Sequence, residues 1–127
     1  MRQFLLSILC LLVISGCAEN KNLSPSQYDA ELHKAVLKSW YDIVDGMDRY
    51  QITRGKVVVR FCLWSDGRIS GVKIIENTSG VPEALAVQRA VLNHASYKPW
   101  PEGMAQQIGS NYRWMRYTFE YGKYSMF

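Results

Sequence analysis

Gly55-Lys56-Val57-Val58-Val59-Arg60-Phe61-Cys62-Leu63-Trp64, running into Ser65-Asp66-Gly67-Arg68-Ile69, is the stretch that decides the fold. Val57, Val59, Phe61 and Leu63 alternate with Val58, Arg60, Cys62 and Trp64. Side chains of a strand alternate between faces with period two, so Lys56 to Trp64 is predicted as a strand. Ser65-Asp66-Gly67 is turn chemistry, and the chain is predicted to fold back there as a hairpin. The returning strand is predicted over Arg68 to Glu76. Val72 and Ile74 share one of its faces, and Gly71 marks a site for a bulge.

Upstream of the hairpin the period changes to that of a helix. Ser24 is a capping residue, Pro25 suits the first helical position, and Gln27 completes a capping box. Tyr28, Leu32, Ala35, Val36, Trp40, Ile43 and Val44 form one apolar stripe, with Asp29, Glu31, Lys34, Lys38 and Asp42 mostly off it. Gly46 is the predicted stop. Downstream, Thr78-Ser79-Gly80-Val81-Pro82 leads into a second helix with Ala84, Val87, Val91 and Ala95 as its stripe and Ala90 and Leu92 on the flanks. Pro99 and Pro101, in Tyr97-Lys98-Pro99-Trp100-Pro101, disfavour further helix. Glu102 to Asn111 reads as a loop. From about Tyr112 to Tyr121, Met115, Tyr117, Phe119 and Tyr121 alternate with Trp114, Arg116, Thr118 and Glu120, the pattern of a half-buried antiparallel strand. The order helix, hairpin, helix, strand predicts an α+β fold: a three-stranded antiparallel sheet with two helices packed on one face.

The N-terminus has a different character. Arg2 supplies a positive charge, Phe4 to Ile14 form a short apolar run, and the small residues Ser15-Gly16 precede Cys17. This is the order of a secretory signal. The apolar run is well short of the roughly 20 residues of a membrane-spanning helix. Ile14-Ser15-Gly16-Cys17 closely resembles the lipobox of bacterial lipoproteins. The resemblance implies cleavage before Cys17, acylation of its thiol, and anchoring of the chain to a membrane through that lipid. Residues 1–16 are then a lipoprotein signal peptide, 17–23 a lipidated Cys and tether, and 24–127 the folded domain. Each buried methylene of an acyl chain adds about 0.8 kcal/mol, so two or three chains hold a protein on a bilayer where one does not. Ala18, in place of the Asp that retains enteric lipoproteins in the inner membrane, favours the outer membrane.

Composition narrows the function classes. The chain of 127 residues, 48% apolar and 13% aromatic, suffices for one small packed domain. Its formal net charge of +4 is modest, and its Lys and Arg residues are scattered along the sequence, with no nucleic-acid footprint. Cys10 departs with the signal and Cys17 is lipidated, which leaves Cys62 without an intramolecular partner. A shielded structural thiol, an intermolecular bond and a reactive site are the three readings of Cys62. His33 and His94 are the only histidines, neither with a ligand partner at metal spacing. A Cys62–His94 dyad lacks a third group to orient it. There is no phosphate-binding glycine loop, and the tryptophans read as core and boundary packing. No enzyme, cofactor, metal or small-molecule substrate is expected.

With these elements in order, the chain resembles the TonB/TolA C-terminal domain family over about Tyr28 to Tyr121. Gly55-Lys56-Val57-Val58-Val59-Arg60-Phe61 and the Asp66-Gly67-Arg68-Ile69 turn carry the resemblance. Val72-Lys73-Ile74-Ile75-Glu76-Asn77-Thr78-Ser79-Gly80 is similar to the family's strand ending in a Ser-Ser-Gly-like corner. Tyr97-Lys98-Pro99-Trp100-Pro101 is similar to its aromatic-x-Pro-x-Pro exit. Tyr28 and Trp40 resemble aromatics of its first helix, and Leu85 and Ala90 fall in its second. The resemblance implies partner binding in the envelope rather than catalysis. It also implies that the first strand is central and that Tyr112–Tyr121 is an edge, where Tyr112, Trp114, Arg116 and Thr118 would meet a peptide added as a further strand. The chain departs from TonB in lacking a retained membrane-spanning helix and a long Pro-rich spacer, and in having Ala86 where an acidic residue is common. These departures bear on coupling to ExbB and ExbD, not on binding. Two classes of function stay open: a lipid-tethered, periplasm-facing module that binds an envelope protein or peptide and contributes to TonB-type transport, or a structural envelope lipoprotein using the fold as a rigid body within a complex.

Overall fold

The computed structural model describes residues 23–122. The expected signal peptide, Cys17 and the tether up to residue 22 lie outside the described residues, as do residues 123–127.

Helix α1, Pro25–Asp45, begins as its sequence dictates. The Ser24 hydroxyl accepts from the Gln27 N–H at 3.1 Å, and the Gln27 side chain accepts from the Ser24 N–H at 2.8 Å, closing the capping box. Tyr28, Leu32, Val36, Trp40 and Val44, spaced by four, are its buried face. Gly46 ends it by donating its N–H to the carbonyls of Ile43 and Val44. After a short 3₁₀ turn at Arg49–Gln51, the chain enters strand β1, Gly55–Trp64. Strand β2, Ile69–Asn77, and strand β3, Tyr112–Tyr121, flank it in the order β2-β1-β3, both antiparallel. The central place of β1 and the edge position of β3 are as expected.

Gly71 forms the expected bulge. Arg60 pairs with Lys73 and Cys62 with Ser70, so Gly71 and Val72 together oppose Phe61. Gly71 has φ +62°, a left-handed conformation that glycine adopts without a Cβ clash. The hairpin turn depends on Gly67 twice over: its φ is +89°, and a Cβ there would strike the backbone carbonyls of Tyr97 and Lys98.

Helix α2, Val81–Leu92, differs from expectation in the face it buries. Glu83, Ala86, Val87, Ala90 and Val91 are buried, whereas Leu92 is half exposed and Ala95 lies beyond the helix end. The small Ala86 and Ala90 let the helix approach its neighbours closely, so they take the inner face in place of Ala84 and Ala95. Ala95 instead uses its carbonyl, which accepts the Ile69 N–H at 2.8 Å. The expected loop of Glu102 to Asn111 contains a one-turn helix, α3, Met104–Ile108. It is bounded by Gly103 and Gly109, both at positive φ, and it inserts Met104 into the core. Five residues carry too little periodicity to signal a helix.

The helices cover one face of the sheet, and the core lies between the two layers. Val57, Val59, Phe61 and Leu63 from β1 meet Tyr28, Leu32, Val36 and Trp40 from α1, Val87 and Val91 from α2, and Tyr117, Phe119 and Tyr121 from β3. Phe61 and Tyr117 pack edge to face at 5.1 Å. At the C-terminal end of β3, the Tyr121 hydroxyl accepts from Trp40 Nε1 and donates to the Glu83 carbonyl, both at 2.8 Å. Burial pushes the Tyr117 and Tyr121 hydroxyls up to about 12.

Candidate functional site

Among the described residues the edge strand β3 has one partner, β1, and the direction of its backbone groups follows from the ladder. Trp64 donates its N–H to Arg68 and Thr78 donates to the Lys56 carbonyl, so the even-numbered residues of β1 bond toward β2. Ser65 donates to Asn111 on the other side. Antiparallel residues alternate strictly in this respect, so Val57, Val59, Phe61 and Leu63 bond toward β3. Their opposite residues are Phe119, Tyr117, Met115 and Arg113. The N–H and C=O groups of Trp114, Arg116 and Thr118 therefore point away from the sheet. The Tyr112 N–H, at the start of the edge, is taken by the Ser110 hydroxyl at 3.3 Å. No hydrogen bond from another described segment reaches the three outward N–H groups.

The start of β3 is held firmly. Arg113 forms an ion pair with Asp29 on α1. Burial lowers the Arg113 pKa, partly offset by Tyr117 and Tyr28. Nearby, the Tyr28 hydroxyl donates to the Lys98 carbonyl at 2.7 Å, and Lys98 pairs with Glu31 at 2.5 Å. Charged Arg116 and Glu120 also lie along the strand, in the manner of edges that resist unwanted pairing.

The side chains of Tyr112, Trp114, Arg116 and Thr118 project from the face of the sheet opposite the helices. Two of them do not stay at the edge. Tyr112 packs on Trp64 at 5.2 Å between ring centroids. Trp114 reaches back across β1 until its indole meets Gly71 of β2, where a Cβ would stand 3.2 Å from the ring. The Arg60 guanidinium lies 4.7 Å from the Trp114 ring, and that of Arg68 lies 4.7 Å from Trp64. Arg116 and Thr118 remain exposed beside the outward backbone.

Cys62, on this same open face, is only 3% exposed. Its burial raises the thiol pKa against the lowering pull of Arg68 and the Ser70 hydroxyl. His94 is on the other side of the molecule, with Nε2 2.9 Å from the Ser39 hydroxyl of α1. The sheet separates the two, so a Cys62–His94 dyad is not assembled. His33 is exposed on α1, its ring 4.8 Å from that of Tyr117. Among the described residues no group of three or more His, Cys, Asp and Glu residues could hold a metal ion, and no helix is long and apolar enough to cross a membrane.

The architecture matches a solved structure. The NMR solution structure of the TonB C-terminal domain of Helicobacter pylori is similar to this chain with a TM-score of 0.51 and 17% sequence identity, covering 82% of this chain and 87% of that one. The fold is that of a TonB C-terminal domain. No protein-family model matches the sequence, and no curated protein matches it. The likeness thus rests on the architecture of this TonB-like domain, in which β1 is central and β3 forms an edge.

The sequence left one grouping undetected. Lys73, Arg60 and Arg116 are far apart in the chain but face one another across the three strands, since Arg60 pairs with both of the others. The pairing register carries that information, and the bulge at Gly71 shifts the register in a way composition does not reveal.

Proposed function

We propose that this chain is a lipid-anchored, periplasm-facing envelope protein, held in the outer membrane through Cys17, that binds an extended segment of a partner protein by strand addition to β3. The observation that carries the reading is the outward backbone of Trp114, Arg116 and Thr118 on a strand otherwise locked in place. An added strand would satisfy those groups, with main-chain hydrogen bonds supplying affinity. Side chains next to the edge, chiefly Arg116 and Thr118, would supply selectivity. The TonB-like fold supports a role in protein binding, and a contribution to TonB-type envelope transport follows if the partner is a transport component.

Anchoring and binding have separate tests. Cys17→Ser should leave the chain unprocessed or soluble and remove lipid labelling; unchanged membrane fractionation with retained labelling would reject the anchor. For binding, a photo-crosslinking residue at position 116 in living cells should trap a specific partner, identified by mass spectrometry of the crosslinked peptide. Thr118→Pro removes an outward N–H and no ladder bond, so the fold should hold its melting temperature while the complex is lost. Retention of the complex by Thr118→Pro would reject strand addition at this edge. It would favour a rigid-body role within a larger assembly.

A further inference from the structure

We propose that the open face of the sheet, at the end carrying Trp64, Trp114 and the Lys73–Arg60–Arg116 row, docks onto an anionic phospholipid bilayer.

The charge pattern is the first argument. Lys73, Arg60 and Arg116 lie directly opposite one another on a single face. Like charges so placed repel. None of the three, nor Arg68, takes part in an ion pair among the described residues. The acid nearest the row, Glu76 opposite Val58, is paired with Lys56 at 3.2 Å. Arg60 Nε is buried without a hydrogen-bond partner. Beside it, a depression of about 480 Å³ floored by Val58 is lined by three cations, Lys56, Arg60 and Arg116, and one acid, Glu76, so that its lining carries an excess of positive charge. A layer of phosphate groups complements this row.

The aromatic residues are the second argument. Trp114 is 54% exposed and Tyr112 43%, and both pack against neighbours on the open face rather than in the core. Indole and phenol rings next to guanidinium groups suit the boundary between lipid headgroups and acyl chains. An extended peptide on the β3 edge would not cover Trp64 or Lys73.

Position is the third. The first turn of α1 is tied to the same end of the sheet, through Asp29 with Arg113 and Tyr28 with Lys98. Seven residues, 17–23, precede that helix and its cap, and fully extended they span at most about 25 Å. A lipid on Cys17 would thus hold this end near the bilayer. In this respect the inference rests on the anchored reading, and the two reinforce each other, since a weak surface contact becomes effective once tethered.

The test uses the chain from Ala18 to Phe127, which has no lipid and retains every core residue, all of which lie between Tyr28 and Tyr121. Flotation with phosphatidylcholine vesicles, with and without phosphatidylglycerol, reads the binding directly. Binding should require phosphatidylglycerol, weaken with salt, and bring Trp64 and Trp114 within reach of brominated lipid while buried Trp40 and Trp100 stay unquenched. Each cation near an anionic surface changes partitioning about fivefold, so Arg60→Gln with Arg116→Gln should lose roughly twenty-five-fold. Lys73→Gln with Arg116→Gln should lose as much while sparing the Arg60–Trp114 contact, and Lys34→Gln with Lys38→Gln on α1 should change little. No binding to phosphatidylglycerol vesicles, equal binding to neutral ones, or equal loss from the α1 pair would overturn the proposal. Because this chain is unlipidated, such a failure leaves the Cys17 anchor untouched; conversely, soluble Cys17→Ser protein in cells leaves vesicle binding untouched.

Discussion

The two faces of β1 use the same alternating residues for opposite ends. On one face Val57, Val59, Phe61 and Leu63 have no exposed surface, because two helices lie over them. On the other, Val58 and Cys62 are almost as deeply buried, yet among the described residues no layer of secondary structure covers that side. Their cover is made of side chains: Trp114 laid across the strand, Arg60 against it, and Trp64 with Tyr112 and Arg68. Burial by a packed helix is fixed by many contacts at once. Burial by a few half-exposed rings can be remodelled when something else arrives. Stability should therefore reside in the first face and binding in the second and in the adjoining edge.

The largest effect that would break this division is expected at Phe61. Phe61→Ala should cost about 3–5 kcal/mol, comparable to the total stability of a small domain, and urea unfolding monitored by circular dichroism should find the variant largely unfolded at body temperature. A loss of only a degree or two in melting temperature would mean that the helix-covered face does not dominate. Alkali attacks the same face. Tyr117 and Tyr121 are neutral and buried, with pKa values raised from near 10 to about 12. Their contribution is complete below about pH 10 and is lost as the pH rises through about 12, on the order of 2 kcal/mol for each. Tyr121→Phe should flatten the fall in stability measured between those limits.

Smaller effects sharpen the second face. Gly71→Ala imposes a left-handed conformation on alanine, at about 1–2 kcal/mol, and forces the Trp114 ring to shift. In the chain beginning at Ala18, where Cys62 is the only cysteine, the same change should speed alkylation of Cys62 while the fold persists. Unchanged alkylation would show that Trp114 is not what shields the thiol. Arg116→Gln should change stability by less than about 0.5 kcal/mol, with a gain if repulsion from Arg60 dominates, as read from the urea midpoint.

The sequence disclosed the first face far better than the second. The period of two in β1 encodes one element locally, the capping box at Ser24 and the i, i+4 stripe of α1 encode a second, and both form as read. Local signals failed where tertiary packing decides. The inner face of α2 was taken by Ala86 and Ala90 because small residues permit close approach, and buried Glu83 sits where a first-turn acid would usually meet water. Met104 entered the core from a segment too short to show a period. The edge role of Tyr112–Tyr121 came through the resemblance, since strand order is not a local property. The folding of Trp114 onto Gly71, and the row Lys73–Arg60–Arg116, depend on register across a bulge and on a side chain crossing a strand, neither of which residue order expresses.

The alternating backbone of β3 gives the most direct test of partner binding at the edge. Residue-resolved amide exchange on the Ala18–Phe127 chain, free and in complex with the crosslink-identified partner, separates the two sides of one strand. Strand addition predicts new protection at Trp114, Arg116 and Thr118, while Met115, Tyr117 and Phe119, already bonded to β1, change little. Unchanged exchange at those three outward amides, with new protection confined to α1 or α2, would contradict it.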